Sequence, residues 1–212
     1  LEITWLGHSC VQVKAGANTL VADPYGDTLG LSMGNVRASV VTVSNSHPNH
    51  SNARAVSGDP FIIEGPGDYE IGNFYVTGLA TPHDVGKEEL GVNTVYVVTV
   101  EGVTVCHLGD LSQPMAAPLV QRLGQPDVLF VPAGGICTIS AAQASEVVGQ
   151  LSPKIVVPIH YSTGELTTAE VEPVDVFLAE MGATEVSSEP SLSVSETTLP
   201  RDLQLVLLDR RV

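Results

Sequence analysis

Basic side chains are scarce. Nine Lys and Arg stand against 24 Asp and Glu, a formal net charge of −15. A field that negative repels polyanions, so binding to DNA or RNA is not expected. No basic cluster offers a footprint for a membrane surface, and no apolar run approaches the roughly 18–20 residues of a membrane span. The opening LEITWLGHSC lacks a basic stretch followed by an apolar one, so no secretory leader is expected and the chain reads as cytoplasmic. Cysteine is also sparse. Cys10, Cys106 and Cys137 are odd in number and widely spaced, with no CxxC. They exclude a disulfide framework and a thiolate zinc site; Cys10 and Cys106 read as small core residues of strands. There is no GxSxG nucleophile elbow. The tight loop PAGG at Pro132–Gly135 lacks the Lys-Ser/Thr of a phosphate loop.

What is present describes a folded globular chain. Apolar residues make up 43% of 212 positions, and mean hydropathy is +0.22. That length suits one domain spanning 1–212, with no repeat or linker in view. The first half is rich in strand-like runs broken by Gly and Asn: Ile3–Leu6, Cys10–Val13, Thr19–Ala22, Val40–Ser44, Phe61–Glu64, Asn73–Leu79, Asn93–Val100 and Val103–Leu108. The last two form a hairpin turning at Glu101-Gly102. Glu88-Glu89 reads as a solvated loop pair. The second half alternates. Helical spacing marks Gln113–Leu123, Ser140–Leu151 (with Ser140 as N-cap) and Pro173–Met181 (with Pro173 in the first turn). Strands Val128–Val131, Ile155–Ile159 and Leu203–Leu208 lie among them, and Ser187–Pro200 reads as a short strand between loops. Strands first, then strands alternating with helices, predict a layered α/β or α+β domain.

The chemistry is concentrated in histidine. His8, His47, His50, His83, His107 and His160 nearly all sit just past an apolar, strand-like run, and Asp110 ends VTVCHLGD. In layered α/β folds, ligands collect beyond strand ends. A divalent ion needs three or four N or O donors at about 2.0–2.2 Å, and imidazoles from several strand ends can converge on one point. A carboxylate such as Asp110 can bridge two ions. A lone histidine at a strand end is more often a hydrogen-bonded surface or core residue, and for His8 and His107 that reading stands level with a site role. HLGD could also cap the helix near Pro114. For His47, His50, His83, Asp110 and His160 together, a shared rim is the better account.

Five ordered segments carry a family likeness: ITWLGHSCVQV…LVADPY, VVTVSNSHPNHSN, TPHD, CHLGD and VPIHY. With them the chain resembles the metallo-β-lactamase fold superfamily, in particular its small metal-dependent hydrolases related to ascorbate-6-phosphate lactonase. The resemblance implies a four-layered αββα sandwich with a metal site between sheet edges. Carried over by position, it implies one ion on Asn45, His47 and His83, another on Asn49, His50 and His160, and Asp110 bridging. His8 and Asp23 would stand behind the ligands, and His107 would orient Asp110. The departures are Asn45 and Asn49, which fall where the family has the first His and the Asp of His-x-His-x-Asp-His. An amide oxygen is a weaker ligand than imidazole or carboxylate, and Asn49 cannot accept a proton as the family's Asp can. One ion is therefore expected rather than two, zinc first, with manganese or iron as alternatives.

These observations predict hydrolysis of a small ester, lactone or phosphoester by metal-bound hydroxide. Asp110, Asn49 and His107 are the candidate catalytic groups, and the partner is a small molecule, with a homo-oligomer open. A non-catalytic binding or scaffold protein of the same fold is the alternative, motivated by the two asparagines. A nuclease or phosphodiesterase is the second, and the net charge speaks against it.

Overall fold

The computed structural model describes residues 1–85, 88–166, 171–183 and 185–211. In chain order the strands are β1 (Glu2–Gly7), β2 (Cys10–Ala15), β3 (Asn18–Ala22), β4 (Val40–Val43), β5 (Phe61–Glu64), β6 (Gly67–Ile71), β7 (Phe74–Val85), β8 (Glu88–Val100), β9 (Val103–His107), β10 (Val128–Pro132), β11 (Ile155–Ile159), β12 (Ser188–Glu189), β13 (Leu192–Ser193), β14 (Gln204–Leu205) and β15 (Leu207–Leu208). The helices are α1 (Ala117–Leu123), α2 (Ala141–Leu151) and α3 (Val174–Glu180). Two sheets result, ordered β13-β1-β2-β3-β4-β5 and β14-β11-β10-β9-β8-β7-β6, and a small ribbon pairs β12 with β15. This is the mixed α/β, layered architecture expected.

Alternation along the first sheet explains the layering. Ile3, Trp5, Val11, Val13, Leu20 and Val40 enter the main core shared with the second sheet. Leu6, Cys10, Val21, Val41 and Val43 point the other way, into a second cluster with Tyr25, Leu29, Met33 and Val56. In the second sheet, β10 and β11 are buried throughout, as parallel strands covered on both faces are. The helices lie outside it: α2 packs on β10, with α1 and α3 against α2. The outer face of the first sheet carries loops with 3₁₀ turns at Asp27–Leu29 and Ala53–Ala55 in place of α-helices among the described residues. The fourth layer of the sandwich is thus reduced to coil.

Three further departures from the sequence reading have local causes. The helix expected over Gln113–Leu123 starts only at Ala117, because Pro118 has no backbone N–H to donate and so belongs in the first turn. Pro173 is the N-cap of α3 and stands before its first turn. The hairpin of β7 and β8 is longer than the apolar runs suggested, and Glu88 and Glu89 open β8 instead of lying in a loop. His83 consequently lies inside β7, at a register shift between Pro82 and Asp84, rather than past a strand end. Ser140 does cap α2, in a reciprocal capping box with Gln143. Among the described residues, no helix is long and apolar enough to cross a membrane.

Candidate metal centre

Both sheets aim strand ends at one rim. His8 follows β1, Asp23 follows β3, and Asn45 to His50 follow β4. Asp110 follows β9, and His160 follows β11. His8, Asp23 and His160 all adopt left-handed backbone, with φ of 51°, 47° and 55°. Such conformations are strained for residues other than glycine and gather at functional sites. The bends are pinned. The His8 carbonyl accepts the indole N–H of Trp5 at 2.8 Å and the backbone N–H of His160 at 2.9 Å. This brings the His8 and His160 rings together, tilted by 39° with centroids 4.0 Å apart.

Asp110 is the hub. His50 Nε2 lies 2.9 Å from its Oδ2, His160 Nε2 lies 3.1 Å from its Oδ1, and His83 Nε2 lies 3.7 Å from Oδ2. The Asp110 loop is set by Asn93, whose Oδ1 accepts the Asp110 backbone N–H while its Nδ2 donates to the Leu108 carbonyl. Gly109 gives the loop its left-handed turn (φ +57°). A Cβ there would lie 2.5 Å from both Asn93 Oδ1 and Ser44 Cβ. Behind the hub, Asp23 is fully buried. It accepts His50 Nδ1 at 2.8 Å, the Ser44 hydroxyl at 2.6 Å and the Ser44 backbone N–H at 2.8 Å.

Electrostatics follow from this geometry. Burial alone would lower the pKa of His50, but the carboxylates of Asp110 and Asp23 outweigh it and push the imidazole up to about 10. Asp110 is held well below the usual carboxylate range. Burial opposes this, and the neighbouring His50 and His160 decide it. His8 goes the other way: burial, then His160 and His50, hold it well below its ordinary value, so its ring is neutral.

The donor set fits a divalent cation. Ring nitrogens of His8, His50 and His160 lie within 4.8 Å of one another, and all three residues are buried. Among the described residues, neither nitrogen of His8 has a hydrogen-bond partner; nor do His160 Nδ1 and Asp110 Oδ1, the latter in ion-pair range of His160 without hydrogen-bond geometry. Buried polar atoms are rarely left so, and imidazole with carboxylate is a zinc-type set. Asp23 would fix His50 so that Nε2 faces the ion, the usual second partner of a ligating histidine.

The residues expected from the sequence divide accordingly. His50, His160, Asp110, His83 and Asn45 come together, and Asp23 stands behind them. His8 lies within the cluster instead of behind it. His47 is at the exposed rim, its Nδ1 accepting the Asn49 backbone N–H at 3.2 Å. Burial and the nearby His50 lower its pKa. Asn49 is half-buried, and its Oδ1 accepts the Thr28 hydroxyl at 2.8 Å. His107 spends both ring nitrogens on backbone, at Ser9 O and Gly109 N, so it shapes the loop through Gly109 instead of contacting Asp110. Asn93 was missed: it reads as a strand opening, and its only signal was an amide beside an apolar run.

A groove of about 640 Å³ opens beside Asn45, lined among others by Val43, Ser44, Glu64, Ala80 and Val92. No Lys or Arg lines it among the described residues.

The chain is similar to known proteins. The family model of the beta-lactamase superfamily domain matches residues 2–160. A UPF0173 metal-dependent hydrolase of Natranaerobius thermophilus is 25% identical over 199 residues, covering 81% of this chain and 88% of that protein. A UPF0173 protein of Pyrococcus furiosus is 29% identical over 187 residues, covering 77% and 84%. The crystal structure of a candidate zinc-dependent hydrolase of the metallo-β-lactamase superfamily from Thermotoga maritima superposes with a TM-score of 0.79. It is 33% identical, and the match covers 98% of each chain.

Proposed function

Since the chain belongs to the beta-lactamase superfamily domain family, we propose that it is a metal-dependent hydrolase of small carboxylic esters or lactones. The observation that carries this reading is the buried trio His8, His50 and His160 against Asp110, with its unpartnered nitrogens. These four residues would hold one divalent ion, zinc first. Such an ion supplies Lewis acidity, polarising a carbonyl oxygen and acidifying water. The relatives named as metal-dependent hydrolases support the assignment of a metal.

The chain's own groups do the rest. Asp23 holds the His50 ring, and Asp110 would supply an anionic ligand to a bound ion. His47, at the rim with its lowered pKa, is neutral near pH 7; its Nδ1 accepts the Asn49 N–H, so it offers Nε2–H as a hydrogen-bond donor to a substrate. The groove favours an uncharged substrate over a phosphoester. Its described walls carry apolar, hydroxyl and amide groups and one carboxyl side chain, Glu64, and among the described residues no Lys or Arg lines it to hold a phosphate. The same feature, with the net charge, disfavours a nuclease.

The test is metal analysis after zinc or manganese incubation, followed by hydrolysis of 4-nitrophenyl butyrate and bis(4-nitrophenyl) phosphate by the wild type and Asp110→Ala. The expected result is bound metal and ester turnover that the substitution abolishes. No metal, or unchanged turnover in Asp110→Ala, overturns the reading, and faster phosphodiester turnover overturns the substrate class. The second reading is a non-catalytic descendant. It is favoured by Asn45 and Asn49, whose amides bond to protein groups. It prevails if metal binds and no ester or phosphodiester is turned over.

A further inference from the structure

Asn45 stands where the resemblance places a ligand of a second ion, yet its amide is turned the wrong way for one. Its Oδ1 accepts the backbone N–H of His47 at 2.9 Å. That bond fixes which end of the amide is oxygen, because only the oxygen can accept. The Nδ2 end therefore faces the centre. It donates to Asp110 Oδ2 at 3.3 Å and to Ser44 Oγ at 3.2 Å. Asn45 is 7% exposed, so water does not readily replace these bonds.

The Asp110 carboxylate thus has two unlike sides. Oδ1 faces His160 and has no hydrogen bond among the described residues. Oδ2 faces His50, Asn45 and His83. An ion on the Asn45 side would have to approach Oδ2 where an N–H already points at it. An amide nitrogen has no lone pair to offer a metal. Rotating the amide to present its oxygen would set an N–H against the His47 N–H and a lone pair against Asp110. Both bonds would be lost in a buried place, where unmade hydrogen bonds are costly.

We propose that the Asn45 amide occupies the second metal position, closing it to a cation and supplying Asp110 with the positive pole a second ion would give. The centre is then mononuclear by construction. Its single ion would be held by His8, His50, His160 and Asp110. This rests on the single-ion centre proposed above.

Metal stoichiometry tests it without any assay of activity. Metal-free wild type, Asn45→His and Asn45→Asp are titrated with zinc by calorimetry, and bound metal is counted after desalting. Manganese-loaded samples are examined by electron paramagnetic resonance for exchange coupling between two ions. Asn45→Asp is isosteric and keeps the acceptor for the His47 N–H, so it guards against a misfolded histidine variant; circular dichroism checks both. The wild type should take one ion. Both variants should take a second, about tenfold or more tighter than any second binding by the wild type, with a coupled manganese signal. Two ions of comparable affinity on the wild type, or a single ion on both folded variants, overturns the proposal. No ion on the wild type overturns the centre itself, and this inference with it.

Discussion

Replacing Asp23 by Asn tests how the site is held rather than what it holds. The side chain keeps its size and can still accept the Ser44 backbone N–H through its remaining oxygen. What changes lies at His50. The Asp23 carboxylate accepts from Nδ1 at 2.8 Å, so a neutral His50 carries its proton there and turns the Nε2 lone pair to the centre. An amide at 23 presents N–H to Nδ1 instead, which favours the other tautomer and aims an N–H at the ion. Substitution of such second partners costs about 10- to 100-fold in metal affinity, or about 1.4–2.8 kcal/mol. Competition against a chelator of known affinity at pH 7 measures this. The metal-free protein gives an independent sign. His50 lies near 10, above its ordinary 6.5, so its pairing stabilises the fold fully below pH 6.5 and loses that effect as pH rises through 10. Asp23→Asn should therefore lower the metal-free melting temperature more at pH 6 than at pH 10. Zinc affinity within twofold of wild type, together with a pH-independent melting shift, would refute the reasoning.

The same protonation predicts that zinc uptake near pH 7 expels about one proton per ion, since a ligating His50 must lose the one it shares with Asp110. Calorimetry in buffers of differing ionisation enthalpy counts it, and a count of zero contradicts the His50 assignment. Gly109→Ala forces a Cβ to within 2.5 Å of Asn93 Oδ1 and Ser44 Cβ at a left-handed φ. It should cost about 2 kcal/mol or more in urea unfolding, from about 1–2 kcal/mol of backbone strain plus the clash; a change below about 0.5 kcal/mol would show that the Asp110 loop yields freely.

The sequence revealed the layers because burial and strand period coincide. VLFVP and IVVPI are apolar throughout, as strands covered on both faces must be, and both are β10 and β11 as read. It hid β6, whose GDYEI is half-exposed at a sheet edge and carries no apolar signature; only pairing to β7 makes it a strand. The extended β7–β8 hairpin was hidden for the same reason, since cross-strand hydrogen bonds leave no mark on composition. At the site, residue types were legible and directions were not. His50, Asp110 and His160 stood out by position after apolar runs. That Asn45 turns its nitrogen inward depends on the His47 backbone N–H, and that Asn49 reaches Thr28 depends on a 3₁₀ turn 21 residues away in the chain. Asn93 looks like any strand residue until its burial and its bonds to residues 108 and 110 are seen.

His8 is the residue whose role changed most, and it allows a test in which stability and function move in opposite directions. It combines a left-handed φ of 51° with a neutral buried ring whose two nitrogens have no hydrogen-bond partner among the described residues. A fold selected for stability alone would not keep that combination. An unsatisfied buried polar atom costs about 1–3 kcal/mol. In His8→Phe the ring and its tilted contact with His160 remain and the orphaned nitrogens go, while the backbone strain is common to both proteins. Overpacking by the slightly larger ring opposes this, at about 1 kcal/mol or more. The metal-free variant should then be more stable by about 1 kcal/mol net, a rise of about 2–4 °C for a chain of this size. Zinc binding should weaken by at least about tenfold, since one of the donors is gone. With saturating zinc the order should reverse, the wild type melting higher because tight binding to the native state adds stability. A variant less stable than wild type without metal, and equal to it in zinc affinity, would return His8 to the ordinary status of a packed core histidine.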